Sequence, residues 1–137
     1  MRIVLDTNVV VSGLLRPYST PAMILRFVIT GGVALVADDR ILLEYEEVVR
    51  RERLGINHVA GREVCNFLRD HAEIIVPYIF VKNMPDADDA MFLEVALSAK
   101  ADCLVTGNKR HYPARLCCGM AVASPTEFIS ALSGNAS

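Results

Sequence analysis

Four stretches place carboxylates, or polar groups beside them, where chemistry would need them. Asp6-Thr7-Asn8 abruptly ends the apolar run Ile3-Val4-Leu5. Glu44 and Glu46 lie within an amphipathic stretch near residues 40–52. Asp86-Ala87-Asp88-Asp89 precedes a mostly apolar stretch, and Thr106-Gly107-Asn108 follows Cys103-Leu104-Val105. One acid ahead of a helix is ordinary capping, favoured by the helix dipole. Three acids in residues 86–89 exceed what capping requires. Carboxylates gathered in one crevice repel each other unless they share a cation. An oxygen-rich set suits Mg²⁺ or Mn²⁺ rather than zinc. Such ions activate water and stabilise charge on a phosphoryl group in transfer or hydrolysis.

The elements that must bring these residues together follow from pattern. Residues 2–6 read as a first strand, short and apolar enough to be buried on both faces. Asp6 would then stand at its carboxyl end, where open α/β sheets bind ligands; alone it could equally be an N-cap. Residues 7–15 read as a helix ended near Arg16-Pro17. A second helix, 20–30, opens with Thr20 as N-cap and Pro21 at its first position, and stops at Gly31-Gly32. Strand 33–37 follows, then a helix over roughly 40–52 capped by Asp38 or Asp39. Gly55 to Gly61 reads as a break before a helix at 62–72 and a strand at 73–76. A largely apolar helix spans about 88–99, with Glu94 and Ser98 as its main polar side. Strand 102–106, a polar loop 107–113 and strand 120–123 come next. A last helix starts at Ser124-Pro125-Thr126-Glu127 and ends before Gly134, leaving 134–137 frayed.

This alternation implies a parallel sheet with right-handed crossovers, hence an α/β domain of three layers, α/β/α, with a central five-stranded parallel sheet. If the strand order is 3-2-1-4-5, strands one and four are neighbours, and Asp6 faces Thr106–Asn108 across the crevice. On the helix near 40–52 the buried stripe is Ile41, Leu42, Tyr45, Val48 and Val49. Glu44 and Glu46 flank it on opposite sides and Glu47 points away, so periodicity does not choose between the first two. Asp89 shares a face with Phe92, Leu93 and Ala96, which directs it inward, where a carboxylate needs a partner.

Composition narrows the function classes. The 137 residues suffice for a single domain, 1–137, and 53% of them are hydrophobic. With 22% charged residues and a net charge of −2, nucleic-acid contact through a broad basic surface is not expected, so any such contact is local or bridged by metal. No apolar stretch is long enough for a bilayer and no signal peptide is evident, which points to a cytoplasmic protein without membrane contact. Cys65, Cys103, Cys117 and Cys118 form no C-x-x-C pair and read as reduced packing thiols, the last two on the approach to a strand.

Taken together these residues resemble the PIN-domain nucleases, and within them the VapC-like toxin subgroup. The likeness rests on Leu5-Asp6-Thr7-Asn8, on Glu44-Tyr45, on Asp86-x-Asp88-Asp89 with the helix Ala90 to Ala99, and on Ala101 to Asn108. It implies a metal-dependent endoribonuclease that cleaves single-stranded RNA with Mg²⁺ or Mn²⁺, the toxin of a toxin–antitoxin pair. It also implies a homodimer, for which helices 20–30 and 62–72 are the candidate surfaces. Asp6, Glu44 and Asp89 match the family's first three acids as catalytic and metal-binding residues. Thr7, Asn8, Asp86, Asp88 and Thr106 are accessory. Asn108 stands where many members carry a fourth acid, so it is the fourth metal-site residue with a weaker donor. Lys109, Arg110 and His111 are placed to clamp RNA phosphates. Two other functions share much of this pattern: an RNA-binding or scaffold protein with a weakened site, and a housekeeping RNA-processing nuclease. A haloacid-dehalogenase phosphatase would need a second acid where Asn8 stands. A response-regulator receiver would place its phosphorylated Asp on a middle strand.

Overall fold

The computed structural model describes residues 1–135. Five strands, β1 (Arg2–Leu5), β2 (Ala34–Ala37), β3 (Glu73–Ile74), β4 (Cys103–Val105) and β5 (Val122–Ala123), form one sheet in the order β3-β2-β1-β4-β5. Every pair is parallel, and Ile3, Val4 and Leu5 align with Cys103, Leu104 and Val105. The order is the expected 3-2-1-4-5. Ile3, Val4, Leu5, Leu104 and Val105 are wholly buried, as strands covered by helices on both faces must be.

Among the described residues six α-helices cover the sheet: α1 (Thr7–Leu15), α2 (Thr20–Thr30), α3 (Asp39–Val49), α4 (His58–His71), α5 (Ala90–Ala99) and α6 (Pro125–Asn135). Their ends correct the sequence reading in several places. The cap of α2 is Ser19, whose Oγ accepts from the Ala22 N–H at 3.2 Å, and Thr20 is the first helical residue. Asp38, not Asp39, caps α3 by accepting from the Ile41 N–H at 3.0 Å. That helix stops at Val49, with a separate 3₁₀ turn at Glu52–Leu54. Gly61 is not a break but lies inside α4, which Asn57 caps. A Cβ at Gly61 would come within 3.3 Å of Ile56, so this glycine permits close packing rather than a turn. Gly13 serves the same end in α1, where a Cβ would meet Leu25 of α2 at 2.6 Å.

β3 ends at Ile74, short of the expected 73–76, although Ile75 N–H still donates to Ala37 at 2.9 Å, and beyond it helix side chains take the backbone donors. Ser98 Oγ accepts from the N–H groups of Tyr78 and Ile79, both at 3.0 Å, and Glu94 accepts from Val81 N–H at 2.9 Å. Glu94 and Ser98 are buried, so the polar side of α5 faces the protein, not solvent. Glu94 is joined there by Arg40 at 2.9 Å, and Arg40 also reaches Asp38 at 2.7 Å. α6 opens with a reciprocal capping box between Ser124 and Glu127 and continues through Gly134 to Asn135, past the expected end. The fraying expected over 134–137 falls partly on residues 136 and 137, outside the described residues. Cys65, Cys103 and Cys117 are buried free thiols, and Cys118 is exposed. Among the described residues no helix is long and apolar enough to cross a membrane.

Candidate metal centre

The carboxyl edge of β1 and β4 holds Asp6 and Thr106 side by side. Asp6 follows β1 and keeps the ladder going by donating its N–H to Val105 at 3.0 Å. Although it sits at the N-cap position of α1, its side chain makes no capping bond. Its Oδ2 instead accepts from Thr106 Oγ1 and from the Tyr112 hydroxyl, both at 2.9 Å. Oδ1 has no hydrogen-bond partner among the described residues. Since no buried side-chain oxygen or nitrogen there lacks a partner, Oδ1 opens to solvent even though Asp6 as a whole is only 5% exposed. Burial and the neighbouring Asp6 and Asp89 push the Tyr112 hydroxyl far above its ordinary pKa, so it stays protonated and remains a donor.

Thr7, buried at the start of α1, donates to Glu44 on α3. Tyr45, wholly buried beside Glu44, donates to the Leu5 carbonyl and so pins α3 to the end of β1. Burial raises the Glu44 pKa, the Thr7 bond opposes this, and the negative charges of Asp6 and Asp88 raise it further. Glu46, the other flank of the stripe, pairs with Arg69 at 2.9 Å on the far side, and Glu47 is exposed. Asn8 accepts from the Gly107 N–H at 2.9 Å. A Cβ at Gly107 would stand 3.2 Å from that amide oxygen, which keeps the β4 exit closely apposed to α1.

Asp86, Asp88 and Asp89 occupy a 3₁₀ turn, Ala87–Asp89, and the residue before it; the turn leads directly into α5. Asp86 caps the turn through the Asp88 N–H at 3.0 Å. Asp88 is exposed, and Asp89 turns inward. Burial and the charge of Asp6 push the Asp89 carboxyl up to about 6, although His111 draws it down. His111 does not point into solvent as Lys109 and Arg110 do. Its Nδ1 lies 2.8 Å from Asp89 Oδ2, and its Nε2 lies 3.0 Å from the Asn108 amide nitrogen. With the Asn108 amide nitrogen as donor to Nε2, the Nδ1–H is the donor to Asp89. Asn108 in turn donates its N–H to Thr106 Oγ1 at 3.0 Å. Lys109 is tied to Glu127 at 3.0 Å, and Arg110 is exposed with no ion-pair partner among the described residues.

The structure therefore draws Asp6, Thr7, Glu44, Asp89, Thr106, Asn108 and His111 to one edge. Side-chain atoms of Asp86, Asp89 and His111 lie within 4.8 Å of one another, close enough to share a cation. Sequence reasoning misses Tyr112, and it misses the turn of His111 towards Asp89. Both follow β4 in a stretch without hydrophobic periodicity, so only its proximity to Thr106 marks it.

Such an edge defines a class: a doubly wound α/β domain with acids from three elements at the carboxyl side of its central strands. The chain belongs to the PIN domain family, whose family description matches residues 2–110. Among solved structures, VapBC2 from Rickettsia felis, bound to a DNA fragment from its promoter, is similar with a TM-score of 0.60 and 15% identity, over 90% of this chain and 98% of that one. VapBC-1 from nontypeable Haemophilus influenzae is similar with a TM-score of 0.61 and 15% identity, over 92% of this chain and 99% of that one. At that identity the likeness is one of fold. No curated protein matches the chain.

Proposed function

We propose that this chain is a metal-dependent endoribonuclease acting on single-stranded RNA, with Asp6, Glu44 and Asp89 as its acidic core. The observation that carries this reading is a cluster of carboxylates without a built-in cation. No lysine or arginine forms an ion pair with Asp6, Glu44 or Asp89 among the described residues, and the last is held up near 6 by burial and by Asp6. Carboxylate oxygens of Asp6, Glu44 and Asp89 fit Mg²⁺ or Mn²⁺, and His111, with both ring nitrogens engaged by Asp89 and Asn108, positions Asp89. When bound, such an ion supplies Lewis acidity, lowering the pKa of water and offsetting charge on a phosphate.

The protein's own part is orientation. Thr106 and Tyr112 both hold Oδ2 of Asp6, which fixes that carboxylate and presents Oδ1 outward. His111 fixes Asp89, and Thr7 fixes Glu44. Arg110, exposed and without an ion-pair partner among the described residues, is available for an RNA phosphate. Lys109 must first leave Glu127, an exposed surface pair that water screens and that costs little to break.

The fold likeness to VapBC2 and VapBC-1 supports assigning the chain as the toxin of a toxin–antitoxin pair, a cytoplasmic single domain that pairs with itself and with an antitoxin. The amide at Asn108, where an acid would bind metal more strongly, favours a second reading, an RNA-binding protein with weakened catalysis. Incubation of the purified protein with single-stranded RNA, with Mn²⁺ or with excess chelator, tests both. Cleavage that needs the metal and leaves 5′-phosphate ends is expected. Cleavage undiminished in chelator overturns the metal assignment, and binding without cleavage selects the second reading.

A further inference from the structure

A cavity of about 330 Å³ adjoins the acidic edge, between α1, the start of α2, the exit of β4 and the start of α6. Every residue lining it is uncharged, in contrast to the edge itself. Val9, Pro21 and Pro125 supply apolar walls. Asn108 belongs to both places. It lines the cavity, and its N–H donates to Thr106 Oγ1, which in turn holds Asp6 at 2.9 Å. The cavity's polar groups are set by the backbone. Asn8 Oδ1 accepts the Gly107 N–H at 2.9 Å. A backbone N–H requires the amide oxygen at that spot, so the orientation of the Asn8 amide is fixed. Its Nδ2 is left as a donor without an acceptor among the described residues. Ser12 follows one turn later on the same face of α1, and its hydroxyl has no hydrogen-bond partner among them either. Asn8 is exposed, and no buried side-chain nitrogen or oxygen among the described residues lacks a partner, so both groups are open to the cavity.

We propose that this cavity is a nucleobase subsite and that the base it prefers is uracil. The proposal rests on the single-stranded RNA reading of the edge and extends it. A phosphate finds no counter-charge here. An unstacked base is uncharged, flat and edged with hydrogen-bonding groups, and proteins that read single-stranded RNA do so by pairing with those edges. The two open groups are a fixed donor and a hydroxyl able to donate, so they match a base with two acceptors. Uracil presents two carbonyl oxygens and is the one RNA base without an amino group. Adenine, cytosine and guanine each bring an amino donor into a pocket whose amide already donates. A base that leaves such groups covered and unpaired is rejected, which is how a polar pocket discriminates. Because Asn108 is shared, a strand with a phosphate at Asp6 has an adjoining base within reach of the cavity.

The test compares fluorescently labelled RNA octamers of uridine, cytidine and adenosine, bound to the full chain in excess chelator so that metal-dependent cleavage is silent. Phosphate contacts are common to all three, so the ratio of affinities reports the base. The uridine octamer is expected to bind about fivefold tighter than the other two. Ser12→Ala should reduce that ratio. Asn8→Asp should abolish it, because the carboxylate keeps an acceptor for Gly107 but offers no proton, while its charge weakens all three octamers alike. Circular dichroism should be unchanged in both variants. No binding, equal affinities, a preference for cytidine or adenosine, or a uridine preference that survives Asn8→Asp each overturns the proposal. Failure of the nuclease reading looks different. A uridine preference in chelator with no cleavage in Mn²⁺ leaves the subsite standing and removes the catalytic assignment. Cleavage in Mn²⁺ at equal rates for the three octamers keeps the catalytic assignment and overturns the subsite.

Discussion

Two carboxylates on or beside α5 meet opposite fates. Glu94 is buried in mid-helix and satisfied by the protein itself, with Arg40 at 2.9 Å and the Val81 N–H at 2.9 Å. Asp89, one residue before that helix, has only His111 as a side-chain partner among the described residues, and its carboxyl is pushed up to about 6 by burial and Asp6. A buried acid with its own arginine is part of the scaffold. A buried acid facing other acids is held ready for a cation from outside. Exposure alone would not separate the two, because both side chains are mostly buried.

The largest expected effect falls on the second kind of acid. Asp6→Asn keeps an acceptor for Thr106 and Tyr112 but removes the charge that faces the hollow. Cleavage should fall by about 100-fold or more, while the metal-free protein melts no lower than wild type. Cleavage within a few-fold of wild type would show that Asp6 belongs with Glu94 as scaffold. The converse substitution is Glu94→Ala, which strands the Val81 N–H and removes one of two carboxylates from Arg40. It should destabilise the fold by about 2–3 kcal/mol in denaturant titration, equally with and without Mn²⁺. A loss that Mn²⁺ reverses would place Glu94 at the metal instead.

Acidity separates the two acids more finely. The folded pKa of Asp89 lies above its unfolded value of 3.8, so the folded protein takes up a proton more readily. The resulting stability is fully present below about pH 4 and is lost as pH rises through about 6. Metal-free protein should therefore melt about 3 °C lower at pH 7.5 than at pH 5 from this group alone. Mn²⁺ should reverse the slope, because metal and proton compete for the same oxygens. Asp89→Asn should flatten both slopes in thermal melts. A slope that persists in that variant would assign it to another group.

Part of this contrast is legible in the sequence. The unbroken runs ending at Asp6 and Thr106 announce central strands buried on both faces, and with them the parallel order of the sheet. The inward turn of Asp89 follows from its spacing to Phe92, Leu93 and Ala96. Glu94 and Ser98 stand out as the polar side of α5, but a helical pattern records polarity and not what receives it. Two polar residues one turn apart on an otherwise apolar helix are the available signal that a partner lies inside. Gly61 imitates a break because glycine serves close packing as well as turns. Tyr112 and His111 are illegible in their present roles. Their positions are set by the loop after β4, which tertiary contacts with Asp6 and Asp89 hold in place.

The smallest effect should come from Asn108→Asp, and its size depends on His111. A carboxylate brings a full charge to a cation where an amide brings a dipole, so Mn²⁺ affinity should rise, by about fivefold for roughly 1 kcal/mol. His111 stands 3.0 Å from the Asn108 amide nitrogen through Nε2 and 2.8 Å from Asp89 through Nδ1. A carboxylate at position 108 would accept a hydrogen bond from the ring, and that bond would compete with the metal for the new oxygens. The gain in affinity should therefore be larger when the histidine is removed as well. Calorimetric Mn²⁺ titrations of Asn108→Asp, alone and combined with His111→Ala, separate the contributions. If Asn108→Asp binds Mn²⁺ no more tightly in either background, residue 108 lies outside the cation's reach, and Asp6, Glu44 and Asp89 hold it without a fourth position.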